Sequence, residues 1–123
     1  MAVTLSDIMA SSQAERLATG FVFTEGPLWH PDGYLLFVDI RRSQILKLVP
    51  GGQPEIIREQ SGESNGMTFD AQGRVVICEM VNRRVTRMEA DGSYTVLADR
   101  WNNQLTPNPF RAAGGSCGDA LRN

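Results

Sequence analysis

Trp29-His30-Pro31-Asp32-Gly33-Tyr34-Leu35-Leu36-Phe37-Val38-Asp39 returns forty positions later as Phe69-Asp70-Ala71-Gln72-Gly73-Arg74-Val75-Val76-Ile77-Cys78-Glu79. In both copies a tight turn ending in glycine joins two short runs, since Asp favours turn starts and Gly33 and Gly73 tolerate positive φ. The second runs, 34–39 and 74–79, are apolar at successive positions, as in strands buried on both faces. Outward from here the register holds without a gap, 26–57 against 66–97. Gly26 meets Gly66, Ile45 meets Val85, Lys47 meets Arg87, Leu48 meets Met88, Gly52 meets Gly92 and Ile56 meets Val96. Third strands near 44–49 and 84–89 alternate apolar and polar residues, then turn through Pro50-Gly51-Gly52 and Ala90-Asp91-Gly92 into fourth strands at 54–58 and 94–98. Four short antiparallel strands at a period of about 40 residues make a β-propeller blade. The chain reads as all-β, a partial propeller of two blades with an incoming strand.

The flanks are less regular. Ser6 predicts the cap of a short helix through Ala14, so 1–16 reads as a loose N-terminal segment. Residues 17–23 read as a further strand, which sets the propeller region at 17–101. Trp29 and Phe69 read as core residues of equivalent strands. From 102 to 123 the periodic apolar pattern stops, and the stretch reads as a disordered tail.

Composition narrows the partners. The 123 residues are 41% hydrophobic and 21% charged with a formal charge of −2, ordinary for a globular chain. No Lys/Arg run supplies a footprint for nucleic acid or an anionic membrane. The longest apolar run, Leu35-Leu36-Phe37-Val38, is far short of the roughly 18 residues a spanning helix needs. The N-terminus has no basic segment followed by an apolar one, so the expected location is cytoplasmic. Cys78 and Cys117 have neither zinc spacing nor disulfide density and read as free thiols.

Five stretches together resemble the family of senescence marker protein, gluconolactonase and luciferin-regenerating enzyme. They are Phe23-Thr24-Glu25-Gly26-Pro27-Leu28-Trp29, Leu36-Phe37-Val38-Asp39-Ile40, Ser64-Asn65-Gly66-Met67-Thr68-Phe69-Asp70, Asn82-Arg83-Arg84-Val85-Thr86-Arg87 and Ala98-Asp99-Arg100. The resemblance implies a six-bladed propeller whose central channel binds a divalent cation, calcium first, with zinc, magnesium or manganese as alternatives. It also implies hydrolysis of sugar lactones or related esters. The chemistry is coherent: a hard cation prefers carboxylate and carbonyl oxygens, and a bound cation polarises a lactone carbonyl toward water that a general base deprotonates.

The resemblance assigns Glu25 as a metal ligand, against the alternative of a solvated glutamate at a strand start. Asn65, forty positions on, inherits the same channel-facing position through the repeat, although an Asn before Gly is also an ordinary turn residue. Asn108, in Leu105-Thr106-Pro107-Asn108-Pro109, stands where many relatives carry a metal-ligating Asn, but Pro109 replaces the Asp expected after it. His30 is the sole histidine and belongs to a turn, which excludes a Ser-His-Asp triad. Met80-Val81 replaces a His-Gly pair of relatives, Glu79 reads as structural or as channel rim, and Arg83 and Arg84 as a solvated turn. The family's general-base Asp has no counterpart here. An intact ring at 40 residues per blade needs about 240 residues, so a truncated, frameshifted or fragmentary chain is expected. Two blades leave an apolar face and a sheet edge bare, which predicts self-association. The rivals to a lactonase are a non-enzymatic binding module and an inert fragment.

Overall fold

A computed structural model describes residues 3–100 and the backbone of 101, 104 and 105. A four-residue helix, α1 (Leu5–Ile8), is followed by β1 (Thr24–His30), β2 (Tyr34–Asp39), β3 (Gln44–Leu48) and β4 (Glu55–Arg58). The second set is β5 (Ser64–Phe69), β6 (Val75–Glu79), β7 (Arg84–Met88) and β8 (Tyr94–Ala98), and β9 (Arg100–Trp101) pairs with β10 (Gln104–Leu105). The sheets run β1-β2-β3-β4 and β5-β6-β7-β8, antiparallel throughout. The expected two blades are therefore present, strand for strand.

The repeat extends to backbone detail. Ser43 and Arg83, forty apart, both close the second-to-third strand turn with positive φ, 55° and 52°. The first strand of each blade breaks register within one residue of the same repeat position, between Glu25 and Leu28 and between Ser64 and Met67. Such bulges redirect side chains where a strand borders a site. In β1 the cause is local: Pro27 has no N–H for the ladder, and Gly26 takes a φ of 56°.

The blades meet through one apolar layer. Leu36, Val38, Ile40 and Ile45 of the first pack against Met67, Val75 and Ile77 of the second, with Leu28, Ile57, Phe69, Met88 and Tyr94 at the margins. Because strand side chains alternate, each sheet has a trailing face toward the blade that follows and a leading face toward the blade before. Residues 36, 38 and 45 lie on the trailing face of the first blade, and 67, 75 and 77 on the leading face of the second. The trailing face of the second blade carries the equivalents of 36, 38 and 45, namely Val76, Cys78 and Val85, also buried.

Several sequence expectations are corrected. The helix starts after Thr4, whose backbone N–H and hydroxyl both donate to Asp7 at 2.7 Å, and it ends at Ile8; Ser6 does not cap it. Residues 17–23 form no strand, because no described sheet edge pairs with them. Trp29 is 57% exposed, whereas its counterpart Phe69 packs against the first blade. Among the described residues no blade stands in front of the leading face of the first blade, so the equivalent position lacks a cover. Cys78 is disulfide-bonded and buried, so it is not a free thiol. Two cysteines with no repeated spacing give no sequence signal for that bond. Cys117 and most of the expected tail lie outside the described residues.

Candidate functional site

The first strands β1 and β5 lie side by side and form the main strand-to-strand contact between the two sheets. Gly26 fits against the Asn65 backbone, where a Cβ would run into the Asn65 carbonyl oxygen. The glycine of the Glu25-Gly26-Pro27 turn is thus fixed by positive φ and by close approach of the next blade. Glu25 itself is exposed, and one carboxylate oxygen accepts the Gly26 N–H at 3.3 Å. Asn65 is buried, and its amide nitrogen faces the Met80 sulphur at 3.9 Å. The structure brings the strands that carry Glu25 and Asn65 into contact. Asn108 lies outside the described residues.

Around this strand pair, the ionisable groups serve architecture. Glu79, fully buried at the end of β6, accepts from Arg58 Nη2 at 2.6 Å, Asn82 Nδ2 at 2.6 Å, Arg84 Nε at 2.7 Å and Thr86 Oγ1 at 2.8 Å. Burial alone would raise its carboxyl, but those four donors outweigh it and hold the group below the ordinary glutamate range. The structural reading of Glu79 stands. Arg84 is correspondingly not a solvated turn residue but the first residue of β7, ion-paired to Glu79, while Arg83 is exposed in the turn. Asp39, the repeat counterpart, is also fully buried and accepts the backbone N–H groups of Val22 at 2.8 Å, Phe23 at 3.2 Å and Arg42 at 3.4 Å. Here too burial pushes the carboxyl up, and the backbone donors pull it further down.

His30 closes the site question for histidine. Its ring stacks on Tyr34 at 4.3 Å, meets Phe69 edge-on at 5.4 Å, and Nδ1 accepts the Asp32 N–H at 3.1 Å. It is a packed turn histidine. Met80 is half-buried against the inter-blade core, and the Val81 N–H donates to the Gly62 carbonyl, so this loop ties the linker between blades to the second blade.

Sequence reasoning missed Arg58. It leaves the last strand of the first blade, ion-pairs with Glu79 of the second and lies over the Tyr94 ring at 3.9 Å. The available signal was the pairing of an acid at the end of β6 with a basic residue at the end of the preceding repeat.

Among the described residues no group of three or more His, Cys, Asp or Glu side chains converges as a metal site. Calcium takes six to eight oxygen ligands, so Glu25 and Asn65 do not hold a cation by themselves. No described helix is long and apolar enough to cross a membrane. A cavity of about 590 Å³ lies on the leading face of the first blade, lined by Glu25 together with Leu17, Phe21, Pro27, Leu35, Phe37 and Leu48.

Comparison with known proteins bears on these features. The model of the SMP-30/Gluconolactonase/LRE-like region matches residues 23–114, extending past Trp101, where the quoted motifs end. A solved putative gluconolactonase is similar over 79% of this chain and 34% of its own, at 30% identity and a TM-score of 0.72. A gluconolactonase from Xanthomonas campestris, described as important in glucose secondary metabolic pathways, is similar over 69% of this chain and 29% of its own, at 29% identity and a TM-score of 0.65. The virginiamycin B lyase of Staphylococcus aureus, at 15% identity and a TM-score of 0.54, shares the fold alone. No curated protein sequence matches significantly. The chain spans about a third of the length of the gluconolactonases it matches.

Proposed function

The chain belongs to the SMP-30/gluconolactonase/LRE-like family, and from that premise we propose that its two blades are the channel-lining part of a divalent-metal-dependent hydrolase of sugar lactones or related esters. The observation that carries this is the juxtaposition of β1 and β5, with Glu25 and Asn65 at matching repeat positions on neighbouring first strands. In this reading Glu25 is one carboxylate ligand of a calcium site whose remaining ligands are not among the described residues. The cation would supply carbonyl polarisation. Asn65, whose amide nitrogen faces the Met80 sulphur at 3.9 Å, would exchange that weak contact for a lactone oxygen. Hydrolysis adds water to the lactone carbonyl carbon, breaks the ring C–O bond and passes the proton to the departing oxygen, giving a hydroxy acid. The resemblance puts the general base outside these two blades, so in this reading they supply binding groups and not the proton transfer.

Calcium titration of the chain against Glu25→Gln, followed by gluconolactone hydrolysis measured as acid release, tests the assignment. A calcium-dependent signal that Gln abolishes is expected. Calcium binding that is the same in both proteins removes Glu25 from the site, and no binding in either favours a non-enzymatic module.

A further inference from the structure

The trailing face of the second blade is a row of side chains crossing three strands. Cys78 pairs with Val85 and Val85 with Ala98 in the register of β6, β7 and β8, and Val76 joins them in one apolar cluster. Val76, Cys78 and Val85 are 0%, 3% and 3% exposed, although among the described residues no further four-stranded sheet stands behind them. The same row in the first blade, Val38, Ile45 and Arg58, is covered by the second blade. There Ile77 lies in the core that holds Val38 and Ile45.

One member of the second row is oxidised. Cys78 is disulfide-bonded, and the chain has two cysteines, so its partner within one chain is Cys117, outside the described residues. Once the packing of the blade junction is known, the repeat gives this pair a meaning. Cys78 stands forty positions after Val38, and Cys117 forty after Ile77. A bond between 78 and 117 thus falls where the first junction packs two aliphatic side chains into one core. Asp119 likewise stands forty positions after Glu79 and eighty after Asp39, the carboxylates that end the second strands of the two blades.

We propose that residues 110–119 lie on the trailing face of the second blade, held there by a Cys78–Cys117 disulfide, so that the cover of this face depends on redox state. The covalent bond compensates for composition. Phe110 is the one large apolar side chain in 110–119, so burial contributes less than Met67, Val75 and Ile77 contribute at the first junction. Opening the bond takes two electrons and two protons from an external dithiol, which leaves as its own disulfide. The segment then has little apolar hold on the blade, and Val76, Cys78 and Val85 lose their cover.

Tryptic mapping of the unreduced chain checks the pairing without any variant. Fragment Val75–Arg83 should be joined to Ala112–Arg122; free thiols at both positions, or Val75–Arg83 joined to its own copy from a second chain, overturns the proposal. Hydrogen exchange checks the seating. Dithiothreitol should speed exchange at amides 112–119 by about tenfold or more, and rates already fast in the oxidised chain and unchanged on reduction would show a tether without a docked segment, which overturns it as well. Reduction should also lower Tm by on the order of 10 °C. Cys78→Val, which places on β6 the residue found at Val38, should melt at the same temperature with and without dithiothreitol. A natural chain whose Tm moves by less than about 1 °C on reduction, or a Cys78→Val chain that responds as strongly as the natural one, takes the switch away from this bond.

Discussion

Asp39 and Glu79 occupy one position in two blades and hold different things. The shorter side chain takes three backbone N–H groups, from 22, 23 and 42, and beyond them has a long ion pair with Arg42 at 3.8 Å. The longer one reaches across the blade junction to Arg58 and gathers Asn82, Arg84 and Thr86 as well. The counterparts of those four donors in the first blade are Ala18, Arg42, Gln44 and Leu46, so a glutamate there would lack most of its donors. Carboxylate length and its surroundings match: the second blade is tied to the first mainly by charge, and the first blade holds its incoming segment mainly by main-chain hydrogen bonds.

Removing one partner of the charged lock should cost most. Glu79→Ala leaves Arg58, whose side chain is 9% exposed, as a buried uncompensated cation, which costs about 3–5 kcal/mol. Urea unfolding of Glu79→Ala, and of Arg58→Ala in parallel, checks this. A loss below about 1 kcal/mol in both would mean that the junction is held by its apolar layer alone. A double variant losing little more than either single one is expected, because the two residues share one interaction.

Next in size is the contact between the two first strands. Gly26→Ala forces φ of 56° on a residue with a Cβ and drives that Cβ into the Asn65 carbonyl, a combination worth about 1–3 kcal/mol. Gly33 has φ of 86° but open space around it, so Gly33→Ala isolates the strain and should cost about 1 kcal/mol. Equal effects at the two sites would show that the close approach of Asn65 relaxes without penalty. Because Asn65 is a proposed substrate group, only Gly26→Ala should also alter lactone binding.

The main-chain lock should be weaker than the charged one. Asp39→Asn keeps one acceptor oxygen but presents an amide N–H toward donors, at a cost of about 1–3 kcal/mol, with faster hydrogen exchange at Val22 and Phe23. Both carboxyls are held below their ordinary values. The linkage sign follows: their stabilisation is complete above the unfolded carboxylate pKa of about 4 and is lost as pH falls through the lower folded values. Acid unfolding monitored between about pH 5 and 2 should therefore flatten in Asp39→Asn and in Glu79→Gln. A wild-type stability that rises on acidification would contradict the directions assigned to both groups.

Much of this architecture is legible in the repeat, and the losses have physical causes. Strand positions, turns and the two-blade division follow from period and from Gly33, Gly52, Gly73 and Gly92, because turn chemistry and alternation are local. The positions of Glu25 and Asn65 follow from the offset of forty. The Arg58–Glu79 junction did not, because an ion pair 21 residues apart depends on how blades pack. Trp29 was misplaced for a related reason: a single strand tells which residues share a face, but not whether another blade covers it. Cys78 gave no signal at all, since one cysteine in an apolar strand looks alike whether or not it is bonded.

The smallest expected effect is at Trp29, and it divides the two leading faces most directly. Phe69→Ala removes a ring packed in the inter-blade core and against His30, and should cost about 2 kcal/mol or more, short of the full core value because the ring is only half-buried. Trp29→Ala removes a larger side chain that is mostly in water and should stay within about 0.5 kcal/mol, as for other exposed substitutions. If Trp29→Ala proves as costly as Phe69→Ala at low protein concentration, the leading face of the first blade is already covered within a single chain. If its cost grows with protein concentration, the cover comes from another molecule, because only association links stability to concentration.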